Sequence, residues 1–337
     1  SDLIKNASVE VANNIGNNSL NYGLSFAGSG LKKFAKVGEK LESDLFFCEL
    51  GAKTLETSNP KPIYDDLIWN LTELGSYVVR EENMSFAVSG DQKKFKFIEM
   101  KLQMILNAVY NENSRGKELL NHTFGGDQSK FEPTYHKNFF ETPLTVNNCV
   151  ESFNGPGYYS ENYGHALVTA SLLTHEFFLP NIREKGGAYG AGASANESGL
   201  FNFYSFWDPK LESTFENFEK GLQKVCDGEF SEKQLEQAKL VTFQKLDSVL
   251  EPSLKGMLKF TRGYSDDDRM NHRVTALNCS KDDIRTIAET ILMPQLEKGK
   301  TSRAVFGAQS TTNDELKSNG WKIEKPLEFL SSSYFEK

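Results

Sequence analysis

Residues 181–208 concentrate the side chains best equipped to act on a substrate. Arg183 offers a planar, permanently charged fork that can grip carbonyl or carboxylate oxygens. Tyr189 offers a phenol that can donate one hydrogen bond to a developing negative charge. From Gly186 to Ala195 every side chain except Tyr189 is Gly, Ala or Ser, so a strand there has a nearly bare surface that another backbone can approach closely. Two readings stand on the residues alone. Either the glycines serve tight packing and Arg183 and Tyr189 form an ordinary surface pair, or the stretch contacts a substrate. A phosphate-binding loop is excluded, because neither the G-x-G-x-x-G spacing nor a Gly-Lys-Ser/Thr ending is present.

Metal and nucleophile chemistry is harder to place. The H-x-x-E-H class of zinc peptidase holds its metal between two His four apart on one helix face, with the Glu as general base. The five histidines, His122, His136, His165, His175 and His272, include no such pair in either orientation. His175-Glu176 reads as a structural pair, and no Ser or Cys nucleophile motif stands out. Cys48, Cys149, Cys226 and Cys279 lie far apart without a C-x-x-C, which points to reduced thiols in or near cores.

The elements that would position Arg183 and Tyr189 follow from periodicity. Gly186–Ala195 and the aromatic run Leu200–Phe206, separated by Asn196-Glu197-Ser198-Gly199, read as an antiparallel hairpin. A buried helix from about Asn162 to Leu179 precedes it, and Pro180 is expected to end that helix just before Arg183. A strand over Leu144–Phe153 opens this region and a strand over Ser302–Ala308 closes it. Asp208-Pro209, the capping box Ser231-Glu232-Lys233-Gln234 and the cap at Ser280 mark helix starts. Earlier in the chain, Asn6–Phe26 reads as loop and partial strand. Helices are expected from Val37 to about Leu55, through Leu67, Leu71 and Leu74, and through Phe95, Ile98, Leu102, Ile105 and Val109, with a short strand at Met84–Ser89. The whole is an α+β pattern with helices on one face of a mostly antiparallel sheet.

With 337 residues the chain exceeds what one core usually organises, so two domains are expected. Its 38 basic and 46 acidic residues give −8 without any basic block, which argues against nucleic acid as a partner. No apolar run approaches membrane-spanning length, so no membrane partner is expected.

The run Ile182-Arg183-Glu184-Lys185-Gly186-Gly187-Ala188-Tyr189-Gly190 is followed by Gly199-Leu200-Phe201 and Ser205-Phe206-Trp207-Asp208-Pro209. Further on come Ser253-Leu254-Lys255-Gly256-Met257 and Gly263-Tyr264-Ser265-Asp266. Together these resemble the C-terminal half of the presequence protease and falcilysin branch of the pitrilysin/insulinase zinc metallopeptidases, strongly from about residue 143 onward. The resemblance implies two domains of that family's type: 1–125 as the end of a third domain, 126–142 as a connection, and 143–337 as a fourth. It also implies that the zinc site lies in an absent N-terminal half, which is the chain's expected partner, and that this chain binds no metal itself. Short unstructured peptides are the implied substrates. Arg183, Gly186, Gly187 and Tyr189 become the implied substrate contacts, Tyr189 stabilising the oxyanion. The chain starts at Ser1-Asp2 without a targeting segment and is expected to be an inactive piece of a longer protein, its compartment unreadable. Where relatives lead one to expect Tyr-Arg, Phe206-Trp207 stands before Asp208-Pro209, a change that bears on peptide preference or on how the halves seal. The rival is a non-catalytic homologue that binds peptides or scaffolds a complex.

Overall fold

The computed structural model describes residues 2–42, 57–59, 61–78, 84–113, 131–249, 251–308 and 313–325. In chain order the elements are α1 (Asp2–Ser29), α2 (Lys33–Glu42), α3 (Lys61–Val78), α4 (Phe95–Asn113), β1 (Lys137–Thr142), β2 (Asn147–Asn154) and α5 (Tyr163–Leu172). The hairpin β3 (Gly190–Ala195) and β4 (Leu200–Asp208) follows, then α6 (Glu212–Cys226), α7 (Glu232–Leu246), α8 (Met257–Arg262), α9 (Asp266–Asn278), α10 (Lys281–Ile287) and α11 (Met293–Glu297). The last are β5 (Thr301–Ala308), α12 (Asn313–Ser318) and β6 (Lys322–Glu324). One compact unit draws on 1–53, 131–248 and 267–337, and a second on 54–130 and 249–266.

Among the described residues of the first unit six strands form one sheet in the order β3-β4-β2-β5-β1-β6. The pairs β3/β4, β4/β2 and β2/β5 are antiparallel, whereas β1 runs parallel to both β5 and β6. Side-chain alternation sends Cys149, Phe153, Phe201, Phe203 and Val305 to one face and Phe140, Val150, Ala304 and Phe306 to the other. The first face meets the main helical layer through Leu172, Phe178, Phe218, Leu222, Leu235, Ile284 and Ile287. Its rings interlock edge to face, with Phe178 and Phe203 centroids 5.0 Å apart and Phe153 and Phe203 also 5.0 Å apart. Each such buried side chain contributes about 1.5–3 kcal/mol, so this phenylalanine cluster fixes the sheet against the helices. The fold is the expected α+β arrangement with a mostly antiparallel sheet, but helices lie on both of its faces rather than on one.

The opposite face carries α1, where a loop and partial strand were expected. Among its described side chains one buried line runs through Ile15, Ser19, Gly23 and Ala27, four apart and mostly small or polar. No hydrophobic stripe announces them, and asparagines dilute helix propensity along the exposed side. Packing decides instead: a β-carbon at Gly23 would come within 3.0 Å of a Val150 methyl, so the helix lies close to the sheet.

Several expected boundaries move. The sequence division at 126–142 does not follow the compact units: 126–130 lies outside the described residues, while Lys137–Thr142 is β1, an inner strand with Phe139 and Phe140 buried on opposite faces. Its strand character was hidden by the polar stretch before it and emerges only through pairing with β5. The helix expected over 37–55 starts at Lys33, and its part beyond 42 lies outside the described residues. Met84–Ser89 carries no strand pairing among the described residues, since a strand needs a neighbour to complete its hydrogen bonds. Asp208 ends β4 rather than capping α6. Its carboxylate accepts from the Lys210 N–H (2.8 Å) and the Thr214 hydroxyl (2.7 Å), tying the strand to the helix from below. Both capping boxes, at Ser231 and Ser280, are present.

In the second unit α3 and α4 form where their apolar spacing predicts. Ile68, Trp69, Leu71, Phe97, Met100, Met104 and Ile105 nevertheless each keep more than half of their surface exposed.

Candidate functional site

Helix α5 does not stop at Pro180. It continues as a π-helix over Leu173–Glu184 with the proline inside it, which corrects the expected end. In the wider turn, Lys185 N–H reaches back to Pro180 O (3.2 Å), and the ring escapes the clash that an α-turn imposes. The Asn181 side-chain amide donates to Phe177 O (2.8 Å), occupying a carbonyl that the loosened backbone frees. Arg183 therefore stands on the last helical turn and is exposed.

The two glycines that follow have backbone reasons to be glycine. Gly187 takes φ 87°, and its N–H donates to Arg183 O (2.9 Å) while Ala188 N–H donates to Ile182 O (3.1 Å), a left-handed helix termination. Gly186 is pressed against the Ile182 carbonyl where a β-carbon has no space. The chain leaves this cap in a fixed direction, so Tyr189 is held two residues beyond it. Tyr189 N–H donates to Trp207 O (3.2 Å), and its ring is 60% exposed. Among the described residues neither the Arg183 guanidinium nor the Tyr189 hydroxyl has a hydrogen-bond or ion-pair partner.

Strand β3 is less open than its composition suggests. A β-carbon at Gly192 would lie 2.6 Å from the Tyr204 hydroxyl oxygen, and Gly190 lies under the Phe206 ring. On the other face Ala191 and Ala193 are buried against the helical layer. The small side chains seat the rings of β4, so close packing accounts for Gly190 and Gly192, while Arg183 and Tyr189 stay free at the strand's entry. The outer edge is engaged as well: Ala193 N–H donates to Thr174 Oγ1 (2.8 Å), whose hydroxyl donates to Ala170 O (2.8 Å).

Opposite Tyr189 the sheet is irregular. In the β2/β4 pairing Asn147 faces Asp208 and Cys149 faces Ser205, so Phe206 and Trp207 together oppose Asn148 in a β-bulge. Trp207 sits at φ 49°, a conformation bulky side chains rarely adopt. Its N–H donates to Asn148 Oδ1 (3.2 Å), and Asn148 Nδ2 donates to Ser19 Oγ on α1 (2.8 Å). Successive side chains of a regular strand point to opposite faces. Here both rings meet Tyr189, with centroids 5.7 Å away for Phe206 and 5.0 Å for Trp207. Asn148 and Ser19 escape sequence reasoning, and the adjacent Phe206-Trp207 before Asp208 is the signal that points to them.

The described histidines do not fit a zinc-peptidase centre. His136 packs on Phe26 and lies 3.1 Å from Thr134 Oγ1. The Nδ1 of His175 meets Ser171 O at 2.9 Å, and its neighbour Glu176 accepts from Gln234 of the capping box. His272 is wedged between Tyr158 and Tyr163; His122 lies outside the described residues. His165, Cys279 and Asp283 bring donor atoms within 4.8 Å of one another. The Asp283 carboxylate, however, already caps α10, with Oδ2 accepting from the Ser280 N–H (2.8 Å) and hydroxyl (2.6 Å). Burial pushes the Cys279 thiol up to about 12, with the Asp283 charge adding to it and the nearby Lys239 ammonium opposing it. The cluster is thus accounted for as a helix cap beside a neutral thiol. Cys149 and Cys226 are buried too, and Cys48 lies outside the described residues.

Similarity to known proteins centres on the same region. The family model described as the PreP C-terminal domain matches residues 137–307. A mitochondrial presequence protease of Xenopus tropicalis is 26% identical over 291 residues, covering 80% of this chain and 28% of that protein. That of Schizosaccharomyces pombe is 27% identical over 309 residues, covering 90% and 30%. That of Eremothecium gossypii is 34% identical over 185 residues, covering 54% and 18%. The chain thus spans less than a third of the length of these curated relatives. Among solved structures, pitrilysin aligns with a TM-score of 0.41 and 14% identity, covering 68% of this chain and 25% of that one. A protease from Helicobacter pylori aligns with a TM-score of 0.43 and 12% identity, covering 60% and 52%. With its β1-to-β5 region matched by that model, the chain belongs to the PreP C-terminal domain family.

Proposed function

We propose that this chain is the C-terminal half of a zinc metalloendopeptidase that degrades short unstructured peptides. The observation that carries the reading is the placement of Arg183 and Tyr189. One stands on a capped π-helix end and the other at a strand entry, both exposed and with their polar ends unpartnered among the described residues. In this role the guanidinium holds peptide carbonyls in fork geometry, and the phenol donates to the substrate oxygen as negative charge builds on it. Neither group hydrolyses a peptide bond alone. The metal belongs to an N-terminal half that closes with this chain into a chamber, and the isolated chain is inactive. The apolar faces of α3 and α4 support a further part of the protein covering them, because surfaces of this kind are normally buried against a partner.

The test is to assay unstructured peptides with the chain alone and with the whole protein. The reading expects no cleavage by the chain, and chelator-sensitive cleavage by the whole protein. Chelator-insensitive cleavage by the purified chain overturns it.

A further inference from the structure

Phe206 and Trp207 are neighbours in sequence, yet both rings lie against Tyr189, an arrangement that only the β-bulge opposite Asn148 allows. The structure maintains it against resistance. Trp207 is held at φ 49° although its side chain disfavours that region, and it is held there by the buried Asn148, itself anchored to Ser19. A bulge that re-aims a side chain, together with a strained residue fixed by its surroundings, is typical of a site that contacts a ligand. What the bulge produces is a continuous aromatic surface, with Trp207 56% exposed and Tyr189 60% exposed, and Phe206 partly buried between them and Gly190.

We propose that Tyr189, Phe206 and Trp207 form a subsite for one apolar side chain, aromatic or branched aliphatic, of the bound peptide. The inference rests on the peptidase reading above. A peptide whose reacting oxygen approaches the Tyr189 hydroxyl brings a neighbouring side chain over the same ring and onto Trp207, since Tyr189 is shared by both functions. The chemistry favours a transient occupant over a permanently docked domain. The patch surrounds a phenol hydroxyl with no partner among the described residues, and beyond it lies an equally unpartnered guanidinium. A permanent apolar cover strands such groups, whereas a peptide supplies carbonyl oxygens to both. Trp207 acts here as a specificity-determining residue rather than a catalytic one.

The experiment uses the whole protein and a set of peptides in which Phe replaces Ser at successive positions around the cleaved bond. The expected result is a preference for Phe of roughly 10- to 100-fold in kcat/KM at one position, lowered at least tenfold in Trp207→Gly and retained in Trp207→Phe. Glycine suits the positive φ, so the first variant removes the ring without burdening the backbone. Thermal unfolding of both variants checks that the fold persists. Two results overturn the subsite: the preference survives Trp207→Gly, or all peptides lose activity equally, which is the outcome for a ring that seals the two halves. Tyr189→Phe separates the two layers. If that variant loses turnover while Trp207→Gly keeps the preference, the subsite fails and the peptidase reading stands. If Tyr189→Phe turns over normally, the phenol is not at the reacting oxygen and the subsite argued from that placement fails, while the peptidase reading itself stands or falls on the chelator test.

Discussion

The Phe206 ring lies across the α-carbon of Gly190, its cross-strand partner in the hairpin, and fills the space a β-carbon would need. Gly190→Ala is therefore expected to push the ring away or splay the hairpin, destabilising the protein by about 1–3 kcal/mol. Urea denaturation of the variant measures this. An unchanged midpoint would show that the ring yields freely and that the aromatic cluster is not held by the glycine.

Tyr189→Phe in the whole protein removes one donor that matters chiefly as charge develops on the substrate. Both kcat and kcat/KM are expected to fall together by about 10²–10³. Arg183→Ala is expected to raise KM as well, because a guanidinium on peptide carbonyls acts in ground and transition states alike. Steady-state kinetics on one peptide distinguishes them; a Tyr189→Phe enzyme with raised KM and intact kcat would make the phenol a binding residue.

Glu151 is buried in the sheet and pairs with Arg303 Nε at 2.8 Å, while the guanidinium lies 4.7 Å from the Phe215 ring centroid. Arg303→Ala leaves a buried carboxylate without its counter-charge and is expected to lower stability by about 3–5 kcal/mol. Adding Glu151→Gln should recover part of the loss. A double variant as unstable as the single would mean that the lost packing of Arg303, not the stranded charge, dominates.

Burial pushes His136, His165 and His272 below their ordinary value of 6.5; Lys322 and Lys36 add to this at His136, while Asp283 and Asp268 partly oppose it at the other two. As pH falls through that value the unfolded chain takes up protons that the folded chain does not. Their contribution is complete above the unfolded value and is lost progressively below it. Urea midpoints should accordingly be lower at pH of about 5.5 than at about 7.5, and His272→Leu should flatten the difference.

Purified alone, the chain is expected to carry no stoichiometric zinc. An equivalent of zinc found by elemental analysis, and abolished by Cys279→Ser, would give the His165–Cys279–Asp283 cluster a metal-binding role instead of a purely structural one.

The hairpin, the capping boxes and the strands β2 and β5 were legible because alternation and turn residues are local signals. Arg183 and Tyr189 were named from the sequence, yet the setting that leaves both exposed was not legible. The π-turn that carries the chain past Pro180 depends on a tertiary context that a proline alone does not reveal. The bulge depends on Asn148, forty residues or more from the rings it orients. Helix α1 was invisible for a related reason: its buried line of Ile15, Ser19, Gly23 and Ala27 is selected for thinness, and thin residues leave no hydrophobic period to detect.

Thr174 gives the Ala193 N–H its partner from outside the sheet. At Ala193 the outward main-chain donor is therefore taken, so an extended peptide laid along this border would lose that rung of the ladder. On the peptidase reading the Arg183 guanidinium then takes carbonyls that all peptides share, and the sorting of one peptide from another falls to the rings of Tyr189, Phe206 and Trp207. The same hydroxyl also guards the protein itself, since copies of this sheet cannot join through Ala193 into a growing ribbon.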